Sequence, residues 1–125
     1  MPYINVRIAD KKSQETASAV ATLLTNLAHT ELKKNREVAA VDVQFAEYWF
    51  VGGKNIDKKT FYIEIKVTAG TNTRDEKAKF IQQAYEGMKN ILGGVTSTSY
   101  IVVKDVAPDD WGFGGKTQGY RYIKA

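Results

Sequence analysis

Pro2 is the residue with the most chemistry to offer. It stands directly behind Met1, and a small second residue is the usual setting for removal of the initiator methionine. The mature chain is then expected to begin with a prolyl secondary amine. No internal proline can supply one, because its nitrogen is an amide. An α-amino group titrates near ~7.7–8, and burial in apolar surroundings lowers that value. Such an amine serves as general base or nucleophile at neutral pH without help from histidine or cysteine. The remaining inventory leaves few rivals. There is no cysteine and a single histidine, His29. That excludes thiol catalysis, disulfide frameworks and cysteine-based zinc sites, and it argues against a histidine-rich metal centre.

Charge and hydropathy narrow the partners. Eighteen lysines and arginines against fourteen acids leave a net charge of +4 over 125 residues. The basic residues are scattered among acids, as in Arg74-Asp75-Glu76-Lys77, and form no dense arm of the kind that binds nucleic acid. A modest positive field suits a small anionic carboxylate better. No apolar run approaches the ~18–20 residues that span a bilayer. Arg7 and Asp10 interrupt any signal-peptide core, so no membrane association is expected. The absence of cysteine fits a cytoplasmic protein.

The elements that must position Pro2 come in two copies. Pro2-Tyr3-Ile4-Asn5-Val6-Arg7-Ile8 lines up with Phe61-Tyr62-Ile63-Glu64-Ile65-Lys66-Val67 in aromatic, apolar and basic character. Each run leads into a helical pattern: Ala17, Val20, Ala21, Leu24, Leu27 and Ala28 in one copy, Ala78, Ile81, Ala84, Tyr85, Met88, Ile91 and Leu92 in the other. Ser13 is placed to cap the first helix, and Thr73-Arg74-Asp75-Glu76 has capping-box spacing at the second. Gly93-Gly94 ends the second helix. Second strands are expected at 38–47 and 99–106, after first strands at 2–9 and 61–68. Each copy closes on an aromatic-glycine turn, Trp49-Phe50-Val51-Gly52-Gly53 and Trp111-Gly112-Phe113-Gly114-Gly115. These glycine pairs carry no phosphate-loop signature.

A unit of about sixty residues is too small to bury both faces of its elements, so the two must pack together. Residues 1–125 are therefore expected to form a single α/β (α+β) domain of two βαβ repeats, 1–53 and 60–125. Right-handed crossovers give a four-stranded mixed sheet with both helices on one face. The segment 54–59 reads as a polar surface linker. The open face of the sheet is expected to be too apolar for water and to be covered by oligomerisation.

A prolyl terminus leading a strand, a βαβ unit and a closing aromatic-x-x-Gly-Gly hairpin together resemble the tautomerase superfamily, typified by 4-oxalocrotonate tautomerase. The resemblance covers essentially the whole chain. Two fused units look like the longer members: fused 4-oxalocrotonate tautomerases, cis-3-chloroacrylic acid dehalogenase and malonate semialdehyde decarboxylase. It implies an isomerase, a keto–enol tautomerase acting on a 2-hydroxy-dienoate or arylenolpyruvate-like acid, with no metal or organic cofactor. It also implies assembly as a homo-oligomer, a trimer. Pro2 would be the catalytic base. Phe61 takes the matching place in the second copy and offers no amine, so one centre per chain is implied.

Substrate-binding residues carry over by position. The family's carboxylate-binding arginine corresponds to Lys12 in the first copy and Thr71 in the second, with Arg74 three residues further as its substitute. Lys12 keeps the charge but loses the bidentate fork. A second family arginine aligns with Tyr100, and Trp111 matches the hairpin aromatic that keeps the amine dry. His29 falls where the cis-dehalogenase-like members contact substrate. In those members a carboxylate activates water, a role for which Asp109 and Asp110 are the candidates. Two alternatives stand beside the tautomerase reading. One is hydration, dehalogenation or decarboxylation of a three-carbon acid with Pro2 protonated. The other is a binding protein that kept the fold without the chemistry.

Overall fold

The computed structural model describes residues 2–123; the loss of Met1 expected above lies outside the described residues. Alternation sets the sheet. In β1 (Tyr3–Ala9) Ile4, Val6 and Ile8 are fully buried, Tyr3 and Asn5 are half-buried, and Arg7 is exposed. The same two-residue period repeats in the later strand Thr60–Thr68, where Phe61, Ile63, Ile65 and Val67 are buried.

The chain runs β1, α1 (Gln14–Thr30), β2 (Ala40–Phe45), then the short hairpin strands β3 (Phe50–Val51) and β4 (Lys54–Asn55). The second half repeats the order: β5 (Thr60–Thr68), α2 (Arg74–Leu92), β6 (Tyr100–Val106), hairpin strands β7 (Gly112–Phe113) and β8 (Lys116–Thr117), and a last helix α3 (Gln118–Ile123). Four strands form one sheet in the order β2-β1-β5-β6. Within each half the strands are parallel, and the two halves meet antiparallel, Tyr3 opposite Lys66 and Ile8 opposite Phe61. The expected mixed sheet with both helices on one face is the fold observed.

The helices cover that sheet through Val20, Leu24 and Ala28 of α1 and Phe80, Ala84, Met88 and Leu92 of α2. Gly87 lets the two helices approach, since a Cβ there would lie 2.6 Å from Leu23 Cδ1. Both predicted caps form. Ser13 Oγ accepts from Thr16 N at 3.1 Å. At α2 the box is reciprocal: Thr73 Oγ1 accepts from Glu76 N at 3.1 Å and Glu76 Oε1 from Thr73 N at 2.8 Å.

Two expectations need correction, and one helix was not expected. The segment 54–59 is not all linker, because Lys54 and Asn55 pair with Val51 and Phe50 across the Gly52-Gly53 turn. α3 follows the second hairpin where no helical pattern was evident. The open sheet face is polar rather than apolar on its central strands: it carries Tyr3, Asn5, Arg7, Asp42, Gln44, Tyr62, Glu64 and Lys66. Tyr3 donates to Asp42 at 3.1 Å, Tyr62 to Glu64 at 2.9 Å and Arg7 to Gln44 at 3.1 Å. The pleat sends nearly all of the apolar groups to the helices. Tyr100 and Val102 on β6 are the exposed exceptions.

Candidate active site

Antiparallel pairing of the halves gives the sheet two ends of different content. One end gathers the starts of β1 and β2 and the finishes of β5 and β6. α1 returns along β1, so its last turn lies at this end as well, and α2 begins here. Pro2 is buried at this end, its carbonyl accepting from Ala40 N at 3.3 Å, and the register sets it opposite Val67.

Three of the residues singled out in the sequence share the end with Pro2. Arg74 opens α2, is exposed, and makes no hydrogen bond or ion pair among the described residues. A cation at a helix N-terminus opposes the macrodipole, so Arg74 is not there to stabilise α2. His29 lies in the last turn of α1, exposed, with Nδ1 2.9 Å from the Lys34 carbonyl oxygen. A neutral ring that donates from Nδ1 leaves Nε2 as an acceptor. Trp111 follows β6 out of the sheet past the turn Pro108–Asp110, and its carbonyl accepts from Gln118 N at 2.8 Å. Asp109 and Asp110 sit in that same turn, with Asp109 Oδ1 packed against Gly119.

Lys12 and Tyr100 are elsewhere. β1 is seven residues long, roughly 20 Å at about 3.3 Å per residue; Lys12 lies beyond its far end and Tyr100 is level with Arg7 near that end. Lys12 lines a groove of about 710 Å³ with Asp10, Phe45, Tyr48 and Trp49. Tyr100 is opposite Tyr62 in the register, 62% exposed, and borders a shallower cleft with Arg7 and Trp49. Neither reaches Pro2 within one chain. The larger groove is thus the counterpart of the Pro2 end in the first repeat, where Phe61 is fully buried in place of an amine.

Lys34 is the residue the sequence reading missed. It follows α1 in the run Lys33-Lys34-Asn35, which reads as ordinary basic residues at a helix end. In the fold its Nζ donates to Thr71 Oγ1 at 2.8 Å, and Thr71 Oγ1 donates onward to the Thr68 carbonyl at 2.6 Å. Asn72 Nδ2 donates to the Leu32 carbonyl at 2.9 Å, tying the same two loops together. Burial lowers the Lys34 pKa, and the charges of Glu76 and Asp105 oppose that shift. The signal available in the sequence was the duplication itself, because antiparallel halves bring the end of one repeat's helix to the loop of the other.

The described residues contain no group of histidine, cysteine, aspartate and glutamate that could hold a metal ion, and no helix long and apolar enough to cross a membrane. Residues 62–121 match the family model for tautomerase enzymes. No curated protein sequence matches the chain. Among solved structures, wild-type Q0 fused 4-OT, a symmetric trimer, shares 17% identity at a TM-score of 0.81, covering 94% of this chain and 96% of that one. FG41 malonate semialdehyde decarboxylase inhibited by 3-bromopropiolate has 19% identity and a TM-score of 0.76, with 98% and 97% covered. N1, of the cis-3-chloroacrylic acid dehalogenase family, has 16% identity and a TM-score of 0.80, with 98% and 91% covered. Residues 62–121 therefore carry the tautomerase family's sequence pattern, and the whole chain has the fold of these solved structures. Its structural neighbours include tautomerase, decarboxylase and dehalogenase proteins, so the shared fold does not decide the reaction.

Proposed function

We propose that this protein is a keto–enol tautomerase of a small 2-hydroxy-dienoate or enolpyruvate-type acid, with the Pro2 amine as general base. The observation that carries the reading is the placement of Pro2. It is buried at the head of a central strand, on the sheet end where Arg74 keeps an uncommitted guanidinium. Burial lowers the pKa of an amine and favours its neutral, basic form. The amine takes the enol hydroxyl proton, electrons shift into the new carbonyl, and the ammonium returns a proton to carbon. Atoms and charge balance without an external reactant. Arg74 binds the substrate carboxylate in a fork, and Trp111 limits water around the amine.

Lys12 and Tyr100 serve substrate only where a neighbouring chain carries them to Pro2. The homotrimer proposed here, by likeness to the fused relative that is a symmetric trimer, is what would do so. Light scattering of the purified protein should then give three times the chain mass. The proposed site needs no metal or organic cofactor, and a small acid is its partner.

The test follows phenylenolpyruvate ketonisation by ultraviolet absorbance, with intact mass establishing that the chain begins at Pro2. Pro2→Ala is expected to lower kcat by about 10²–10⁴-fold, the usual share of a positioned base. Wild-type protein without turnover, or a variant as fast as wild type, would sink the reading. His29 at the same end favours a second reading, hydration, dehalogenation or decarboxylation with Pro2 as an acid. A Pro2 pKa below neutral supports the base, and one clearly above neutral supports the acid.

A further inference from the structure

The groove at the Phe61 end combines cations and open aromatic rings with a position that offers no base. It encloses about 710 Å³ between the turn after β1 and the β3–β4 hairpin, a volume within the range of small-molecule pockets. The duplication gives every part of it a counterpart. Lys11-Lys12 aligns with Gly70-Thr71 of the second copy, and Tyr48-Trp49 with Asp110-Trp111. Those positions supply no cation and one aromatic ring at the Pro2 end. At the Phe61 end they supply two cations and two aromatic rings.

The charges of the lining do not cancel. Asp10 is committed: its Oδ2 lies 3.1 Å from Lys59 Nζ, and its Oδ1 accepts from Lys11 N at 2.8 Å. Both lysine side chains are exposed. Among the described residues neither ammonium makes a hydrogen bond or ion pair, with Glu47 of the lining or with any other group. With Asp10 offset by Lys59, Lys11 and Lys12 outweigh Glu47 and leave the groove net positive. Its rings are equally uncommitted: Tyr48 is 80% and Phe50 57% exposed, with Trp49 half-buried between them. Aromatic walls beside a few convergent charges suit a flat ligand that carries the opposite charge. Phe61, fully buried, takes the place of the amine, so a ligand here is held and not turned over.

We propose that this groove is a second, non-catalytic binding site for a planar conjugated carboxylate. Lys11 and Lys12 hold its charge, and the run Tyr48-Trp49-Phe50 holds its flat face. The class of ligand rests on the tautomerase reading, whose acids are conjugated; the site itself does not depend on Pro2. The two ends of one sheet then take the same kind of acid, and only one of them converts it.

The experiment titrates the full-length chain with cinnamate, a planar acid that cannot enolise, and with cinnamamide, its neutral counterpart. The reporter is the indole N–H signal of Trp49 in NMR spectra, identified by its loss in Trp49→Phe. Cinnamate should move that signal in wild type and equally in Pro2→Ala. Two exposed charge contacts are together worth about 3- to 10-fold, so the Lys11→Met/Lys12→Met double variant should weaken cinnamate by that factor and leave cinnamamide within about twofold. Added salt should bring wild type towards the double variant, because exposed charges are screened. A Trp49 signal that cinnamate leaves in place, equal affinity for acid and amide, or a double variant as tight as wild type overturns the proposal. Binding lost in Pro2→Ala also overturns it, by placing the groove in the catalytic site of a neighbouring chain. Light scattering decides the remaining occupant: a groove that takes cinnamate only after dilution to single chains belongs to a second copy, and the proposal falls. No readout uses turnover, so failure of the tautomerase assay and failure of this site are told apart.

Discussion

The two ends of the sheet are built from the same repeat and have diverged in opposite directions. At the Pro2 end Lys34 and Arg74 have no ion partner. At the Phe61 end Lys59 is spent: its Nζ lies 3.1 Å from Asp10 Oδ2 and donates to the Leu92 carbonyl at 3.1 Å. α1 ends in Leu32-Lys33-Lys34, and α2 ends in Leu92-Gly93-Gly94, with glycine where Lys34 would be. Phe61 fills the core where Pro2 would sit. One copy has turned its shared position into packing, and Lys12 at that end lines the larger groove. The other keeps an imino acid at that position, and the proposed catalytic site rests on this difference.

The sharpest way to break this contrast is to truncate Phe61. A fully buried phenylalanine replaced by alanine costs about 3–5 kcal/mol through lost transfer energy and the cavity left behind. Phe61→Ala should therefore lose that much in urea denaturation, while the fraction still folded keeps turnover near wild type. Pro2→Ala should show the reverse, a collapsed rate with a far smaller stability change. A folded Phe61→Ala protein without turnover would mean that the two ends do not work separately.

A smaller effect comes from the caps. α2, which starts at the Pro2 end, has the reciprocal Thr73–Glu76 box, whereas α1 has Ser13 alone with Thr16 at the partner position. Thr73→Ala should cost about 1–2 kcal/mol and Ser13→Ala about 0.5–1 kcal/mol, both read from denaturant midpoints. Equal losses would erase the asymmetry. The Thr73 backbone N–H, then the Asn72 amide, hold the Glu76 pKa below the ordinary carboxylate range. A depressed carboxylate pKa contributes stability that is full above the unfolded-state pKa and disappears as pH falls through the folded one. The advantage of wild type over Glu76→Gln should fade over that acid window. An advantage that grows on acidification would reverse the assignment.

Most of this fold was legible because its signals are local. The period of two in β1 and β5, the helical stripes, Thr73-x-x-Glu76 and the paired glycines each name an element, and the duplication joins them into one sheet. Pro2 was legible as chemistry from its neighbour in sequence alone. Which face of the sheet stays open was not, since Tyr3 and Ile4 alternate and only packing against α1 and α2 decides between them. Lys12 and Tyr100 lie at the opposite end of the sheet from Pro2 because antiparallel halves exchange their loops. Lys34 stayed hidden for the same reason: its partner Thr71 is 37 residues away.

The smallest predicted effect lies one residue before Lys34. Lys33 has φ +60°, the one non-glycine residue with positive φ among those described, and its counterpart Gly93 has φ +77°. Left-handed backbone costs an L-residue roughly 1–2 kcal/mol, which glycine avoids. Against that, Lys33 Nζ donates to the Thr30 carbonyl at 2.8 Å, an exposed contact at the α1 C-terminus, worth about 0.3–1 kcal/mol through the macrodipole. The backbone term wins narrowly, after allowance for the greater freedom glycine has in the unfolded chain. Lys33→Gly should therefore raise stability by about 0.5 kcal/mol in urea. A loss of stability would show that the Lys33 contact to the Thr30 carbonyl outweighs the backbone strain. The two turns share the left-handed angle and differ in whether a side chain has to adopt it.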